Sequence, residues 1–131
     1  GIQADIKTLN TLRVFATTAI TCITAQNTQE VISIKRQQPN IVSDQIKAVL
    51  KDFKVSSIKI GMLYDKAIMK TVTKSLKKFK HIPIILDPVM ISKSGDYLLK
   101  SDSINFFVKK VKSLSISLAF EIILFSFFIL S

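Results

Sequence analysis

Short apolar runs alternate with amphipathic helical patterns along most of this chain, and this alternation limits the folds that it can adopt. Four runs rich in β-branched residues predict strands, at residues 14–25, 31–36, 55–60 and 82–86. Before the first run, and after each of the last three, apolar residues recur at the three- and four-residue spacing of a helix. The four apolar faces are Ile2, Ile6, Leu9 and Leu12; Val42, Ile46, Val49, Leu50 and Phe53; Ile68, Val72, Leu76 and Phe79; and Ile104, Phe107, Val108 and Val111.

Strands that alternate with helices of this length indicate βαβ units. We therefore predict an α/β fold with a mainly parallel open sheet, right-handed crossovers and helices on both faces. The long apolar run 14–25 is typical of a central strand buried on both faces. The alternating run 31–36 predicts a half-buried strand.

Composition limits the chain to one domain and argues against a nucleic-acid partner. The 131 residues are enough for one hydrophobic core. The net charge of +10 comes mostly from lysines spread over helix faces, without an arginine-rich helix or zinc-finger spacing. Cys22 is the only cysteine, so an internal disulfide is impossible and a reducing compartment such as the cytoplasm is expected. The predicted role of Cys22 is that of a small buried hydrophobe.

The last segment breaks the α/β pattern. Residues 114–130 are apolar on every side except for serines and Glu121, and they follow a cluster of lysines. The length is just sufficient to span a bilayer, but an acidic residue in the middle of a span is costly. We predict a division into residues 1–112, which form the α/β part, and an apolar tail at 113–131 that is not a membrane anchor. A membrane-tethered protein is the alternative.

Four segments carry distinctive sequences, and three of them are polar turns that follow predicted strands. They read GIQAD at residues 1–5, TAQNTQ at 24–29, KIGML at 59–63 and LDPVMISKSGDYLL at 86–99. In an open parallel sheet, ligands bind just beyond the carboxyl ends of the strands. These turns are therefore the candidate site.

In this order, the four motifs resemble the hydroxymethylpyrimidine/phosphomethylpyrimidine kinases of thiamine biosynthesis, which belong to the ribokinase-like superfamily. The resemblance extends from residue 1 to about residue 111 and implies the N-terminal portion of such a kinase. It implies ATP-dependent phosphorylation of 4-amino-5-hydroxymethyl-2-methylpyrimidine and then of its monophosphate. ATP and magnesium are the implied cofactors, a small pyrimidine is the implied ligand, and a homodimer is possible for the full-length family. A relative that phosphorylates pyridoxine or pyridoxal is the nearest enzymatic alternative.

Three residues are predicted to contact the pyrimidine. The amide of Gln26 offers an acceptor and two donors, which match a ring nitrogen beside an exocyclic amine. The resemblance places Met62 and Val89 against the ring as apolar walls. Without the resemblance, Gln26 would be a solvated turn residue and Met62 a core residue.

Three charged residues complete the predicted site. The resemblance implies that Asp5 holds the substrate hydroxyl, although an acid in the first turn of a helix is also favoured by the helix dipole. Asp87, at the end of a strand, is placed in the vicinity of magnesium or phosphate. Lys93 is either a point charge toward phosphate or a solvated loop lysine.

The sequence does not supply the phosphate-binding part of a kinase. Its three glycines, Gly1, Gly61 and Gly95, cannot form a Walker A loop or a G-x-G-x-x-G turn. The anion hole that the resemblance implies, Gly-Thr-Gly-Cys, does not occur, and no catalytic residue is assigned. We therefore also expect that this chain by itself is an inactive fragment, produced by a frameshift or a premature end.

Overall fold

The computed structural model describes residues 1–87, 116–117 and 126–130, and of the last two stretches it describes only the backbone. The described elements are α1 (Ile2–Thr11), β1 (Phe15–Ala19), β2 (Cys22–Gln26), β3 (Val31–Arg36), α2 (Pro39–Asp52), β4 (Ser57–Ile60), α3 (Lys66–Leu76), β5 (Ile84–Leu86), β6 (Ile116–Ser117) and β7 (Ser126–Leu130). Three of the four predicted helices are confirmed. The fourth, at 104–111, lies outside the described residues.

Five strands form one parallel sheet in the order β1-β7-β4-β5-β6. The predicted α/β fold with a mainly parallel sheet is confirmed. β7 lies between β1 and β4, with Phe128 aligned with Thr17 on one side and with Ile58 on the other. Two stretches of the predicted apolar tail therefore belong to the sheet, and the division at residue 112 stays a prediction.

The helices cover both faces of the sheet. On one face, α2 and α3 pack over β4 and β5 around a core that includes the fully buried Ile46, Ile58, Ile60 and Leu76. On the other face, Leu9 of α1 packs with Val14, and Ile85 of β5 lies against this second cluster. Because alternate residues of a strand point to opposite faces, the neighbouring residues Ile84 and Ile85 serve different cores.

The predicted central strand 14–25 is wrong, because the chain leaves the sheet in the middle of that run. The Gln45 side chain of α2 accepts from the N–H of Ile20 and donates to its carbonyl, at 2.9 and 3.0 Å. These backbone groups are satisfied without a neighbouring strand, so the run divides into β1 and β2. β2 then pairs antiparallel with β3, and we call this two-stranded sheet the ribbon.

The ribbon is mostly exposed. In β3, Val31 and Ile34 are partly buried and the other four residues are exposed, so the strand is confirmed but its alternating burial is not. Ile23 and Ile32 expose 56% and 68% of their surface. Among the described residues, no helix is long and apolar enough to cross a membrane. Most of the residues in the segment 114–130 are outside the described part of the chain.

Candidate functional site

A lysine joins two carboxylates at the carboxyl ends of β4 and β5. Lys59 lies between the buried residues Ile58 and Ile60, so its side chain points away from their core and toward the face that carries α1. Its Nζ lies 2.7 Å from Oδ1 of Asp5 and 2.9 Å from Oδ2 of Asp87. We call these three residues the carboxylate–lysine cluster.

Backbone hydrogen bonds fix the two acids of this cluster. The N–H of Asp87 donates to the carbonyl of Ile60 at 2.9 Å, which holds the residue after β5 beside the end of β4. Asp5 lies in the first turn of α1, and its N–H donates to the carbonyl of Gly1. The cluster therefore joins a helix and two neighbouring strands.

The environment keeps Lys59 charged. Burial disfavours the ammonium, but hydrogen bonds to Asp5 and Asp87, together with their negative charges, outweigh burial and raise the pKa of Lys59. The Asp87 side chain exposes 54% of its surface, against 23% for Asp5 and 19% for Lys59. The cluster is thus a fixed ion network with Asp87 as its most accessible member.

The turn after β4 is fastened to the start of the ribbon. Met62 is buried, and its main-chain oxygen accepts a 2.7 Å hydrogen bond from the hydroxyl of the fully buried Thr21. The Cys22 Sγ lies 3.6 Å from the Met62 Sδ. Burial raises the pKa of Cys22, a change that the contact of its sulfur with the Thr21 hydroxyl partly offsets. We predicted Cys22 to be a small buried hydrophobe, and the structure shows it partly buried.

A second set of contacts holds the end of β3. Arg36 forms a 3.1 Å ion pair with Asp65, the residue that caps α3 by accepting from the N–H of Ile68. The N–H of Gln37 donates to the carbonyl of Thr21 at 2.9 Å. The ribbon is therefore anchored at the end that adjoins α3 and the turn after β4.

Gln26 lies at the other end of the ribbon. Its side chain is exposed, at the last position of β2. Cys22 contacts Met62, and Gln26 lies four residues further along, roughly 13 Å for an extended chain. We placed Gln26 with Met62 because both were expected to follow strands of one parallel sheet. That reason is wrong, because in the described part of the chain β2 pairs only with β3 of the ribbon. Contact of Gln26 with the pyrimidine stays a prediction.

The other predicted site residues divide into two groups. Asp5 and Asp87 are brought together by Lys59. Val89 and Lys93 lie outside the described residues, so their roles stay predictions. Over the described ranges, no group of three or more histidine, cysteine or acidic residues is arranged to hold a metal ion.

Comparison with known proteins identifies the family. The pattern of the family described as phosphomethylpyrimidine kinase matches residues 1–117. The chain belongs to this family. The hydroxymethylpyrimidine/phosphomethylpyrimidine kinase of Rhizobium meliloti is 37% identical over 116 residues, which are 88% of this chain and 43% of that protein. The enzyme of the same name from Escherichia coli is 38% identical over 104 residues, covering 79% of this chain and 39% of that protein.

The fold of this chain agrees with that of a solved phosphomethylpyrimidine kinase. The crystal structure of phosphomethylpyrimidine kinase from Clostridium difficile superposes with a TM-score of 0.80 at 39% identity, covering 88% of this chain and 51% of that one. The predicted family and the ribokinase-like fold are confirmed. The chain spans less than half the length of the two curated relatives and about half of the solved one.

Lys59 begins the KIGML segment, in which only Met62 was predicted to be a site residue. The sequence did contain a signal for its role. The strand was predicted to lie in a sheet covered by helices on both faces, and a lysine buried in such a strand needs a charged partner. The partners could not be named, since Asp5 and Asp87 are far from Lys59 in the sequence and only the sheet brings them together.

Proposed function

We propose that this chain forms the pyrimidine-facing part of a hydroxymethylpyrimidine/phosphomethylpyrimidine kinase. The reaction is transfer of a phosphoryl group from ATP to 4-amino-5-hydroxymethyl-2-methylpyrimidine, and then to its monophosphate. The observation that carries the proposal is the carboxylate–lysine cluster, which lies at the carboxyl ends of two parallel strands where such folds bind ligands. The names of the relatives support this substrate.

Each predicted contact has a chemical task. The Asp5 carboxylate accepts a hydrogen bond from the hydroxymethyl group and orients its oxygen toward the incoming phosphoryl group. The amide of Gln26 pairs with the aminopyrimidine edge. Met62, which is buried beside Cys22, supplies a polarizable apolar wall for the ring. Val89 is assigned the same role of an apolar wall.

The residues present fit magnesium only as one part of a shared site. Magnesium in phosphoryl-transfer sites is usually held by one or two carboxylates together with substrate phosphates. Asp87 is an exposed carboxylate, and one of its oxygens forms an ion pair with Lys59. It would therefore hold the ion together with phosphate oxygens. Lys93 would act as a point charge toward the phosphate. When bound, the ion neutralises charge on the phosphate oxygens. ATP has no glycine-rich cradle in this sequence.

The remaining assignments follow from this function. The partner is a small pyrimidine rather than nucleic acid or a membrane, and we place the reaction in the cytoplasm. A homodimer is proposed for the longer family members.

Isothermal titration of the 131-residue chain with hydroxymethylpyrimidine tests the proposal, with pyridoxine as the comparison ligand. Measurable binding of the pyrimidine and much weaker binding of pyridoxine would support it. Preference for pyridoxine would favour the sister activity, and no binding of either ligand would reject the proposed role.

A further inference from the structure

Three separate elements meet at a single nitrogen atom in this structure. Asp5 comes from α1, Lys59 from β4 and Asp87 from the residue after β5. Both ion-pair distances are below 3 Å, and the Lys59 side chain is largely buried.

We propose that Lys59 is the positioning residue of the pyrimidine site, and that its ammonium fixes the Asp5 carboxylate in the orientation that reads the substrate hydroxyl. This inference rests on the proposed function, and it assigns to Lys59 a role in selecting hydroxymethyl ligands. The ammonium contacts Oδ1 of Asp5, so we assign Oδ2 to the hydroxyl.

Charge supports the assignment. Two carboxylates that share one ammonium carry a net charge of −1, and without the ammonium they would repel each other in a partly buried place. The exposed Asp87 can turn toward solvent, whereas Asp5 lies in the first turn of α1 and its carboxylate contacts the Lys59 ammonium. Loss of Lys59 would therefore remove the constraint that sets the direction of the Asp5 side chain.

The cost of burying this network also supports a role beyond stability. Ion pairs removed from water are often replaced by apolar residues with little loss of stability, because desolvation offsets their attraction. The apolar packing of β4 is already supplied by Ile58 and Ile60, on the opposite face from Lys59. Lys59 is therefore better explained by its effect on the orientation of Asp5 than by a contribution to the hydrophobic core.

A pair of ligands separates positioning from folding. Titration calorimetry on the full 131-residue chain compares hydroxymethylpyrimidine with 4-amino-2,5-dimethylpyrimidine, which lacks only the hydroxyl group. The measured quantity is the ratio of the two dissociation constants. For the unmodified chain we expect the hydroxyl ligand to bind roughly tenfold to a hundredfold more tightly, since a hydrogen bond to a charged group has that effect.

Lys59→Met should bring this ratio close to one while leaving the binding of the dimethyl analogue nearly unchanged. Lys59→Arg keeps a cation and should restore part of the ratio. Asp5→Asn should also abolish the preference, and adding Lys59→Met to it should cause no further loss, because Lys59 acts through Asp5. Lys47→Met is the matched control, since Lys47 forms an exposed pair with Asp44 on α2.

The outcomes are distinct. A chain that prefers the hydroxyl ligand and keeps that preference in Lys59→Met overturns the inference alone. Equal weakening of both ligands in Lys59→Met also overturns it, because that result indicates a general structural defect. If the unmodified chain binds both ligands equally, the inference fails alone, because no hydroxyl is being read. If it binds neither ligand, the proposed function fails and the inference fails with it.

Discussion

The hydroxyl of Thr21 donates a 2.7 Å hydrogen bond to the main-chain oxygen of Met62, across 41 positions of sequence. Thr21 is fully buried, and it immediately precedes the ribbon. Met62 follows β4 and lies next to the carboxyl ends of the sheet. This bond therefore fixes the start of the ribbon relative to the turn that we assign to the pyrimidine.

Thr21→Val should destabilise the chain by about 1–3 kcal/mol, because the shape is kept while a buried carbonyl loses its donor. Thr21→Ser keeps the hydroxyl and should be less destabilising than Thr21→Val. Urea unfolding followed by circular dichroism measures both variants. Equal stabilities for the two variants would show that the hydrogen bond contributes nothing.

Gln26→Leu should weaken hydroxymethylpyrimidine binding roughly tenfold to a hundredfold, because a polar ligand edge loses its partner. The change should alter stability by no more than about 0.5 kcal/mol, since Gln26 is exposed. Calorimetric titration and urea unfolding measure the two effects. Gln29→Leu is the matched control, because Gln29 is also exposed and lies in the turn directly after β2. Similar losses of affinity in both variants would contradict a specific role for Gln26.

Periodicity was sufficient to predict α1, α2, α3 and the parallel sheet. Val42 and Ile46 are buried at the spacing that predicts α2, and Ile68, Val72 and Leu76 at the spacing that predicts α3. The break between β1 and β2 could not be predicted in the same way. It depends on the Gln45 side chain, which satisfies the backbone of Ile20 from a helix 25 positions away. The apolar run itself contains no glycine or proline to mark the break.

The candidate site was predicted in part for a related reason. Asp5 and Asp87 stand out in the sequence because each is an acid in a distinctive turn. Their shared partner is visible only once α1 and β5 lie beside β4. The place of β7 was also beyond prediction, because a uniformly apolar segment does not indicate which strands it will join.

Phe128→Pro should strongly destabilise the chain. Phe128 is the residue of β7 aligned with both Thr17 and Ile58, and proline in a central strand removes a ladder hydrogen bond. We expect a loss of at least about 1–3 kcal/mol, the typical cost of an unsatisfied buried backbone group. Phe128→Ile keeps the donor and a high strand propensity, so it is the control. Thermal unfolding measures both. Equal melting temperatures for the proline and isoleucine variants would contradict the central position of β7.

The chain as written should not phosphorylate hydroxymethylpyrimidine. Phosphoryl transfer depends almost entirely on positioning and on charge stabilisation around the phosphates. The sequence holds no glycine-rich loop to supply that stabilisation. Incubation with ATP, magnesium and the pyrimidine, followed by mass detection of the phosphorylated product, tests this expectation. Turnover at rates typical of kinases, about 1–100 per second, would show that the catalytic groups lie within these 131 residues.

The contribution of Lys59 to stability should disappear at high pH. Because the pKa of Lys59 is raised in the folded chain, its ion pairs contribute fully below the ordinary lysine value of about 10.4. That contribution is lost as the pH rises through the higher pKa of the folded state. The difference in unfolding free energy between the unmodified chain and Lys59→Met should therefore be constant between about pH 7 and pH 9 and should shrink above about pH 10.4. Urea unfolding across this range measures the difference, and Lys47→Met corrects for general effects of high pH on surface lysines. A Lys59→Met difference that stays constant through the whole range would contradict the assigned ion pairs.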